Sequence, residues 1–176
     1  MTSTLASLAK QVFDAAREHN LSIVTAESCT AGKLSTLLSE VPGAGEHLHG
    51  GFVTYSKASK TKLLGVSEIV LQQRGAVCAD VAVAMAQGAL ERSPANLAVA
   101  ITGVAGPERD EDGNPVGFVC IAAVREGYAP VHTERHYGTI GRARILEEAM
   151  ADALHEVLRQ IEDSEDTGTP DRSFAL

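Results

Sequence analysis

The sequence lacks tryptophan, and aromatic residues make up only 4% of its 176 residues. Nucleic-acid bases therefore find few rings on which to stack, and the net charge of −8 opposes a phosphate backbone. The sequence also contains no apolar run of about 18 residues, the shortest length typical of a transmembrane helix. We expect neither a nucleic acid nor a membrane as the partner of this chain.

The sequence also contains few cysteines and no spacing of residues that is typical of a metal site. Cys29, Cys78 and Cys120 are odd in number, widely separated and without a CxxC motif, so reduced thiols in a cytoplasmic protein are expected. The N-terminus has no basic segment followed by an apolar block, and secretion is not expected. His47 and His49 have no third ligand at a suitable spacing. The sequence therefore predicts no disulfide, no bound metal and no cofactor.

What the chain does contain is typical of one globular α/β domain, with 44% hydrophobic and 22% charged residues. We predict a domain over residues 1–161 and a disordered acidic tail over residues 162–176. Apolar periodicity predicts helices at 4–19, 30–39, 56–64, 67–74, 79–91 and 142–161. It predicts strands at 21–25, 50–55, 96–101, 116–124 and 131–137, of which the last two form a hairpin.

Residues 25–32 link the first strand to a helix that we expect to begin at Thr30, the predicted N-cap. A hydroxyl or thiol on such a turn lies beside free N–H groups, which stabilise the anion formed when an amide or ester is attacked. Ser28 is the first candidate nucleophile and Cys29 is its rival. In the alternative interpretation, Ser28 and Thr30 only cap the helix and Glu27 solubilises the turn.

Tyr55 and Lys60 follow the second predicted strand. Parallel strands that end at one edge of a sheet place their following residues together, so Ser28, Tyr55 and Lys60 are expected to meet there. The alternative for Lys60 is a solvated helix face that it shares with Lys57 and Lys62.

A third turn, over residues 102–107, also follows a buried strand. Its glycines let backbone N–H groups approach a ligand, although the spacing matches neither a P-loop nor GxGxxG. Arg142 and Arg144 begin the last helix, where the helix dipole disfavours cations. This placement indicates an anionic ligand or a partner carboxylate.

The motifs of the chain occur in the order and spacing of one family. They are Thr-Ala-Glu-Ser-Cys-Thr-Ala-Gly, Gly-Gly-Phe-Val-Thr-Tyr-Ser, Leu-Leu-Gly-Val, Met-Ala-Gln-Gly-Ala, Thr-Gly-Val-Ala-Gly-Pro and Pro-Val-Gly. Over residues 5–159 the chain resembles the C-terminal domain of CinA, the competence/damage-inducible protein, which also occurs as a free-standing nicotinamide-nucleotide amidase (PncC). We do not expect the N-terminal domain of CinA in this chain.

The resemblance implies a single-domain, three-layer α/β/α fold with a mixed, mostly parallel sheet, and a homo-oligomer. It implies hydrolysis of the carboxamide of nicotinamide mononucleotide to nicotinate mononucleotide and ammonia, with a small-molecule nucleotide as the partner and no metal or cofactor. It places the nucleophile on Ser28 and the proton-transfer groups on Tyr55 and Lys60, and a lysine among apolar neighbours has its pKa lowered towards that of a base. We assign substrate binding to Glu27, Cys29, Thr30, Thr102, Gly103, Ala105, Gly106 and Arg142. The amides around Ser28 and along 102–105 are candidates for the oxyanion hole.

The chain departs from the family pattern at Ala31, usually a second glycine, at Cys78, Ala79 and Thr139, and most of all at residues 108–112. Where relatives have a glycine-rich turn, this chain carries four carboxylates, which are expected to repel a phosphate. Two alternatives therefore stay open. One is a ligand- or partner-binding module that lost turnover, and the other is an amidase for another small carboxamide or ester.

Overall fold

Six α-helices and five strands form in residues 3–166, the part of the chain that this computed structural model describes. The helices are α1 Ser3–Glu18, α2 Lys33–Ser39, α3 Lys57–Leu64, α4 Glu68–Arg74, α5 Ala79–Glu91 and α6 Arg142–Asp166. The strands are β1 Ile23–Glu27, β2 Leu48–Val53, β3 Leu97–Gly103, β4 Phe118–Arg125 and β5 Val131–His136, and a short 3₁₀ turn covers Ala44–Glu46.

The five strands form one sheet in the order β2-β1-β3-β4-β5. β1 pairs in parallel with both β2 and β3, whereas β4 is antiparallel to β3 and to β5. Four of the described strands therefore point the same way and β4 runs against them, so the predicted mixed, mostly parallel sheet and its terminal hairpin are confirmed. The carboxyl ends of β1, β2 and β3 meet at one edge.

Helices cover both faces of the sheet because alternate strand residues point to opposite sides. Ile23 and Val99 face a core formed with α1, α2 and α6, whereas Val24 and Ala98 face a core formed with α3, α4 and α5. This arrangement is the predicted three-layer α/β/α fold of a single domain.

Two local features fix α3, the helix that carries Lys60. Ser56 caps its start in a reciprocal box with Ser59, and Gly65 ends it with the left-handed φ of 71°. On its buried side α5 approaches so closely that a Cβ on Gly88 would collide with the Leu64 carbonyl. The small residues of α5 permit this close approach.

Most predicted boundaries are shifted by one or two residues, and three wrong boundaries bear on the site or on the predicted tail. α2 begins at Lys33 with Gly32 as its N-cap, so Thr30 does not cap it. β2 ends at Val53, two residues before Tyr55.

The third wrong boundary is the end of α6, which continues through residues 162–166, a segment that we predicted to be disordered from its composition. Extending an existing helix costs far less than nucleating one, and this favours continuation into a polar segment. The rest of the predicted tail, residues 167–176, lies outside the described residues. No helix within residues 3–166 combines the length and the apolar character that crossing a membrane requires.

Candidate active site

The turn that carries Ser28 reverses the chain between β1 and α2 over residues 28–32, hereafter the Ser28 turn. The Ser28 N–H donates to the Ile101 carbonyl at 2.9 Å, which ties the turn to the end of β3. Ala31 and Gly32 then take left-handed φ values of 50° and 90°. The result places the Ser28 side chain at the carboxyl edge of the parallel strands.

Lys60 is the basic group that contacts Ser28. Its side chain is fully buried, at 0% exposure. Its Nζ lies 2.8 Å from the Ser28 Oγ and 2.8 Å from the Thr54 carbonyl oxygen. The interpretation of Lys60 as part of a solvated helix face is therefore wrong.

Burial lowers the pKa of Lys60 from 10.5 to about 8, and a small opposing effect comes from the Cys29 thiol. An amine with such a pKa is neutral in a substantial fraction of molecules near physiological pH. It can therefore accept a proton from a hydroxyl, as a general base must.

The Cys29 thiol interacts with the same amine, but its pKa is shifted in the opposite direction from that of Lys60. Burial raises its pKa to about 11, against the opposing effect of Lys60. The thiolate is the nucleophilic form of cysteine, and this environment disfavours it. Of the two candidate nucleophiles, Ser28 has the better local chemistry.

Most of the predicted site residues surround one cavity of about 440 Å³. Its lining includes Ser28, Cys29, Tyr55, Lys60, Thr102, Gly103, Ala105, Gly106 and Arg142. Tyr55 stands at the mouth with 63% of its surface exposed. Two residues that we assigned to substrate binding, Glu27 and Thr30, do not line it.

Glu27 is fully buried beneath the Ser28 turn, at 0% exposure. Its carboxylate accepts hydrogen bonds from the N–H groups of Gly32, Leu34 and Ser35. Thr30 is also fully buried, and its hydroxyl has no hydrogen-bond partner among the described residues. Both are therefore structural rather than substrate-facing. The interpretation that Glu27 solubilises the turn is wrong.

The backbone geometry narrows the candidate oxyanion donors. The Ser28 N–H is committed to Ile101, and the Val104 N–H donates to the Phe118 carbonyl at 2.9 Å. The Thr102 hydroxyl donates to the Ala76 carbonyl at 2.8 Å, which holds the next loop against β3. The amides of Cys29 and Ala105 are among the predicted donors that stay candidates.

Arg142 joins the start of α6 to the third turn, because its guanidinium donates to the Gly106 carbonyl at 2.9 Å. It keeps a place in the cavity wall, where it is available to an anionic group. Arg144 instead pairs along its own helix with Glu148 at 2.7 Å and does not line this cavity. Only one of the two arginines therefore fits the predicted ligand-binding role.

Another part of the cavity lining comes from an acidic loop, residues 108–112. The Asp112 carboxylate contacts the Lys57 Nζ at 2.6 Å and accepts the Ala76 N–H at 3.0 Å. Glu111 also pairs with Lys57, at 3.0 Å. The sequence analysis missed Lys57 as a wall residue, because its partners lie about fifty positions away and leave no local signal.

Comparison with known proteins identifies the family of this arrangement. The chain matches the CinA C-terminal domain over residues 5–161. The chain belongs to the CinA C-terminal domain family. A CinA-like protein of Mycolicibacterium vanbaalenii is 45% identical over 141 residues, 80% of this chain and 33% of the relative. A putative competence-damage inducible protein of Caldicellulosiruptor saccharolyticus is 41% identical over 154 residues, 88% of this chain and 37% of the relative.

Solved structures of the same family share the fold. A competence/damage inducible protein from Agrobacterium tumefaciens superposes with a TM-score of 0.87 at 37% identity, covering 91% of this chain and 97% of that one. A CinA superfamily protein from Escherichia coli gives a TM-score of 0.84 at 34% identity, covering 90% and 92%. By contrast, the chain spans little more than a third, at most, of the curated relatives named above.

Proposed function

We propose that this chain is a metal-independent amidohydrolase that converts nicotinamide mononucleotide to nicotinate mononucleotide and ammonia. The observation that carries the proposal is the buried Lys60 amine, whose Nζ lies 2.8 Å from the Ser28 Oγ. Family membership fits a hydrolase, and the resemblance supplies the substrate. The reaction and the roles of the residues are our proposal.

In the first step the Ser28 Oγ attacks the carboxamide carbon while the neutral Lys60 amine takes the hydroxyl proton. The Thr54 carbonyl accepts one Lys60 hydrogen, which leaves the nitrogen lone pair free to face Ser28. The attack forms a tetrahedral oxyanion, which backbone N–H groups such as those of Cys29 and Ala105 would stabilise.

In the second step the carbon–nitrogen bond breaks. The Lys60 ammonium returns its proton to the leaving nitrogen, with the Tyr55 hydroxyl at the mouth as a relay, and ammonia departs. Water then attacks the acyl-serine with Lys60 as the base. Lys60 then returns that proton to the Ser28 Oγ as the acyl–oxygen bond breaks. The products are a regenerated Ser28 hydroxyl and the free acid, which gives its proton to the solvent or to ammonia and becomes the carboxylate, so that atoms and charge balance.

The charged residues that line the cavity determine how tightly the nucleotide phosphate binds. Arg142 offers a guanidinium, and Lys57 offsets the charge of Asp112 and Glu111. Glu108 and Asp110 also line the cavity, and their carboxylates repel a phosphate. We therefore propose that the enzyme accepts nicotinamide mononucleotide with a raised KM.

The test is ammonia release by the purified chain from nicotinamide mononucleotide, with a chelator present. Release that equals nicotinate mononucleotide formation and disappears in Ser28→Ala supports the proposal. Release that requires an added divalent cation, or that survives in Ser28→Ala, contradicts it.

The acidic loop favours a second candidate, an amidase for a small carboxamide without a phosphate. Nicotinamide riboside and nicotinamide serve as probes, because both carry the same carboxamide. A kcat/KM higher for either than for nicotinamide mononucleotide supports the second candidate. If no ammonia is released from any of these amides, the alternative that stays is a ligand- or partner-binding module.

Homo-oligomer formation, implied by the resemblance, stays a prediction that light scattering can check.

A further inference from the structure

The Glu27 carboxylate lies directly under the Ser28 turn with five hydrogen-bond donors around it. Its Oε2 accepts the N–H groups of Gly32 at 2.9 Å and Leu34 at 3.1 Å. Its Oε1 accepts the Ser35 N–H at 2.8 Å, the Ser35 hydroxyl at 2.8 Å and the Thr25 hydroxyl at 3.3 Å. The carboxylate thus joins the end of β1 to the first turn of α2 across the segment that carries Ser28.

The backbone of Glu27 has a second connection. Its carbonyl accepts the Thr54 N–H at 2.8 Å, and the Thr54 carbonyl in turn holds the Lys60 Nζ. Glu27 therefore contacts the two segments on which the position of Ser28 relative to Lys60 depends.

The shell around Glu27 consists of hydrogen-bond donors. The three backbone partners can only donate, and they are N–H groups of the turn and first residues of α2, which the helix itself leaves free. A carboxylate offers an acceptor at each oxygen, whereas a glutamine would have to turn its own NH₂ towards N–H groups.

The fold leaves space for this shell. A Cβ on Gly51 of β2 would collide with the hydroxyls of Ser35 and Thr25. The Ser28 turn that the carboxylate spans also contains a non-glycine residue, Ala31, in the left-handed region. Such a backbone persists only where surrounding contacts hold it.

We propose that Glu27 is a positioning residue, whose buried carboxylate holds the Ser28 turn so that the Ser28 Oγ stays within hydrogen-bond distance of Lys60. The inference rests on the proposed amidase function for its kinetic test. It assigns Glu27 no contact with substrate, since the residue lies outside the cavity.

The first test is Glu27→Gln, which keeps the shape of the side chain but loses one acceptor. We expect kcat per folded molecule to fall at least about tenfold, since displacing reacting groups by 1 Å can cost a factor of 10². We expect KM to stay within about threefold and the pH midpoint of the rate to stay near that of the wild type, because the substrate keeps its contacts and Lys60 stays buried against the Thr54 carbonyl. Exposed Glu46→Gln is the matched control and should match the wild type.

Ser35→Ala provides a milder variant, because it removes one of the five donors and leaves the backbone bonds in place. A smaller fall in kcat of the same kind is expected, and this variant decides the question if Glu27→Gln does not fold. An unchanged kcat per folded molecule in whichever variant is decisive would overturn the inference, as would a change confined to KM.

A second readout separates this inference from the proposed function. If the wild type releases no ammonia from nicotinamide mononucleotide, nicotinamide riboside or nicotinamide, the proposed function fails. The inference about Glu27 is then decided by crystal structures of the wild type and the decisive variant. We expect the distance from the Ser28 Oγ to the Lys60 Nζ to exceed about 3.5 Å in the variant, beyond hydrogen-bond range. An unchanged distance would overturn the inference even if the wild type is active.

Discussion

Two parts of the cavity lining differ in how deeply they are buried. The part that carries Ser28 and Lys60 is buried and hydrogen-bonded, with exposures of 7% and 0%. The other part, the acidic loop, is exposed to solvent, and its Glu111 side chain is 74% exposed. Two lysines of α3 show the contrast, because burial lowers the pKa of Lys60 to about 8 whereas hydrogen bonding to Asp112 raises that of Lys57.

This difference separates two tasks. Fixing a nucleophile beside an unprotonated amine requires burial, which surface residues cannot supply because water screens and solvates them. Choosing among substrates requires charges at the mouth, which an exposed loop provides and can change without disturbing the core. Changes in the buried part should therefore act on kcat, and changes in the acidic loop should act on KM.

The largest expected effect is that of Ser28→Ala. Loss of the nucleophile should reduce kcat by at least about three orders of magnitude, the scale seen when a unit of catalytic groups loses one member. The thermal midpoint should stay within a few degrees, because the hydroxyl contributes little to packing. Steady-state ammonia release and a melting curve check both expectations.

Cys29→Ala is the matched variant at the adjacent position and should retain most activity. A loss confined to Cys29→Ala would move the nucleophile to the thiol. Full activity in both variants would show that covalent catalysis at this turn is wrong.

The second-largest expected effect is that of Lys60→Met, a substitution that keeps the side-chain volume and removes the base. We expect kcat to fall at least about 100-fold, the scale of a general base. Stability at neutral pH should rise, since burial of an ammonium no longer opposes folding. Urea titrations and kinetics measure both, with exposed Lys62→Met as the control. Equal losses in the two variants would contradict the assignment of Lys60.

A smaller effect is expected at the acidic loop. Glu108→Gln should lower KM for nicotinamide mononucleotide about two- to fivefold at low salt, since one exposed charge acts with about 1 kcal/mol at 4 Å in water. The gain should shrink in high salt, because exposed charges are screened over about 8–10 Å. Glu18→Gln, on α1, is the control. An unchanged KM at low salt would place the phosphate away from this loop.

The smallest effect concerns Ala31, whose φ of 50° lies in the left-handed region. Glycine adopts this region without steric cost, although it loses more entropy on folding. Ala31→Gly should therefore raise the free energy of unfolding by up to about 1 kcal/mol and leave kcat within about twofold. Ala15→Gly in α1 should instead destabilise by about 1 kcal/mol. Chemical denaturation of both variants checks the opposite signs, and destabilisation by Ala31→Gly would contradict the strain argument.

Local patterns in the sequence were sufficient for much of the fold. Apolar periodicity predicted the helices and strands. The meeting of Ser28 and Lys60 was also predictable, because parallel strands share an edge. The helices and strands depend on neighbours a few residues apart along the chain, whereas the meeting of Ser28 and Lys60 follows from the general rule that parallel strands end at one edge.

The errors concern interactions that the local pattern does not encode. Glu27 follows a buried stretch and precedes a polar turn, a pattern that fits a substrate contact or a solvent-exposed turn residue equally well. The start of α2 at Lys33, six residues later, was the available signal, but the N-cap was wrongly predicted at Thr30 and the signal was missed. The pairing of Lys57 with Asp112 crosses 55 residues and required the fold itself.

The pH dependence of kcat/KM tests the central claim, that a neutral Lys60 activates Ser28, most directly. Because the amine acts in its unprotonated form, the rate should rise with pH through a pKa of about 8 and then reach a plateau. The rise should disappear in the residual activity of Lys60→Met. A rate that is flat between pH 7 and 9, or that falls as pH increases through this range, would contradict the account.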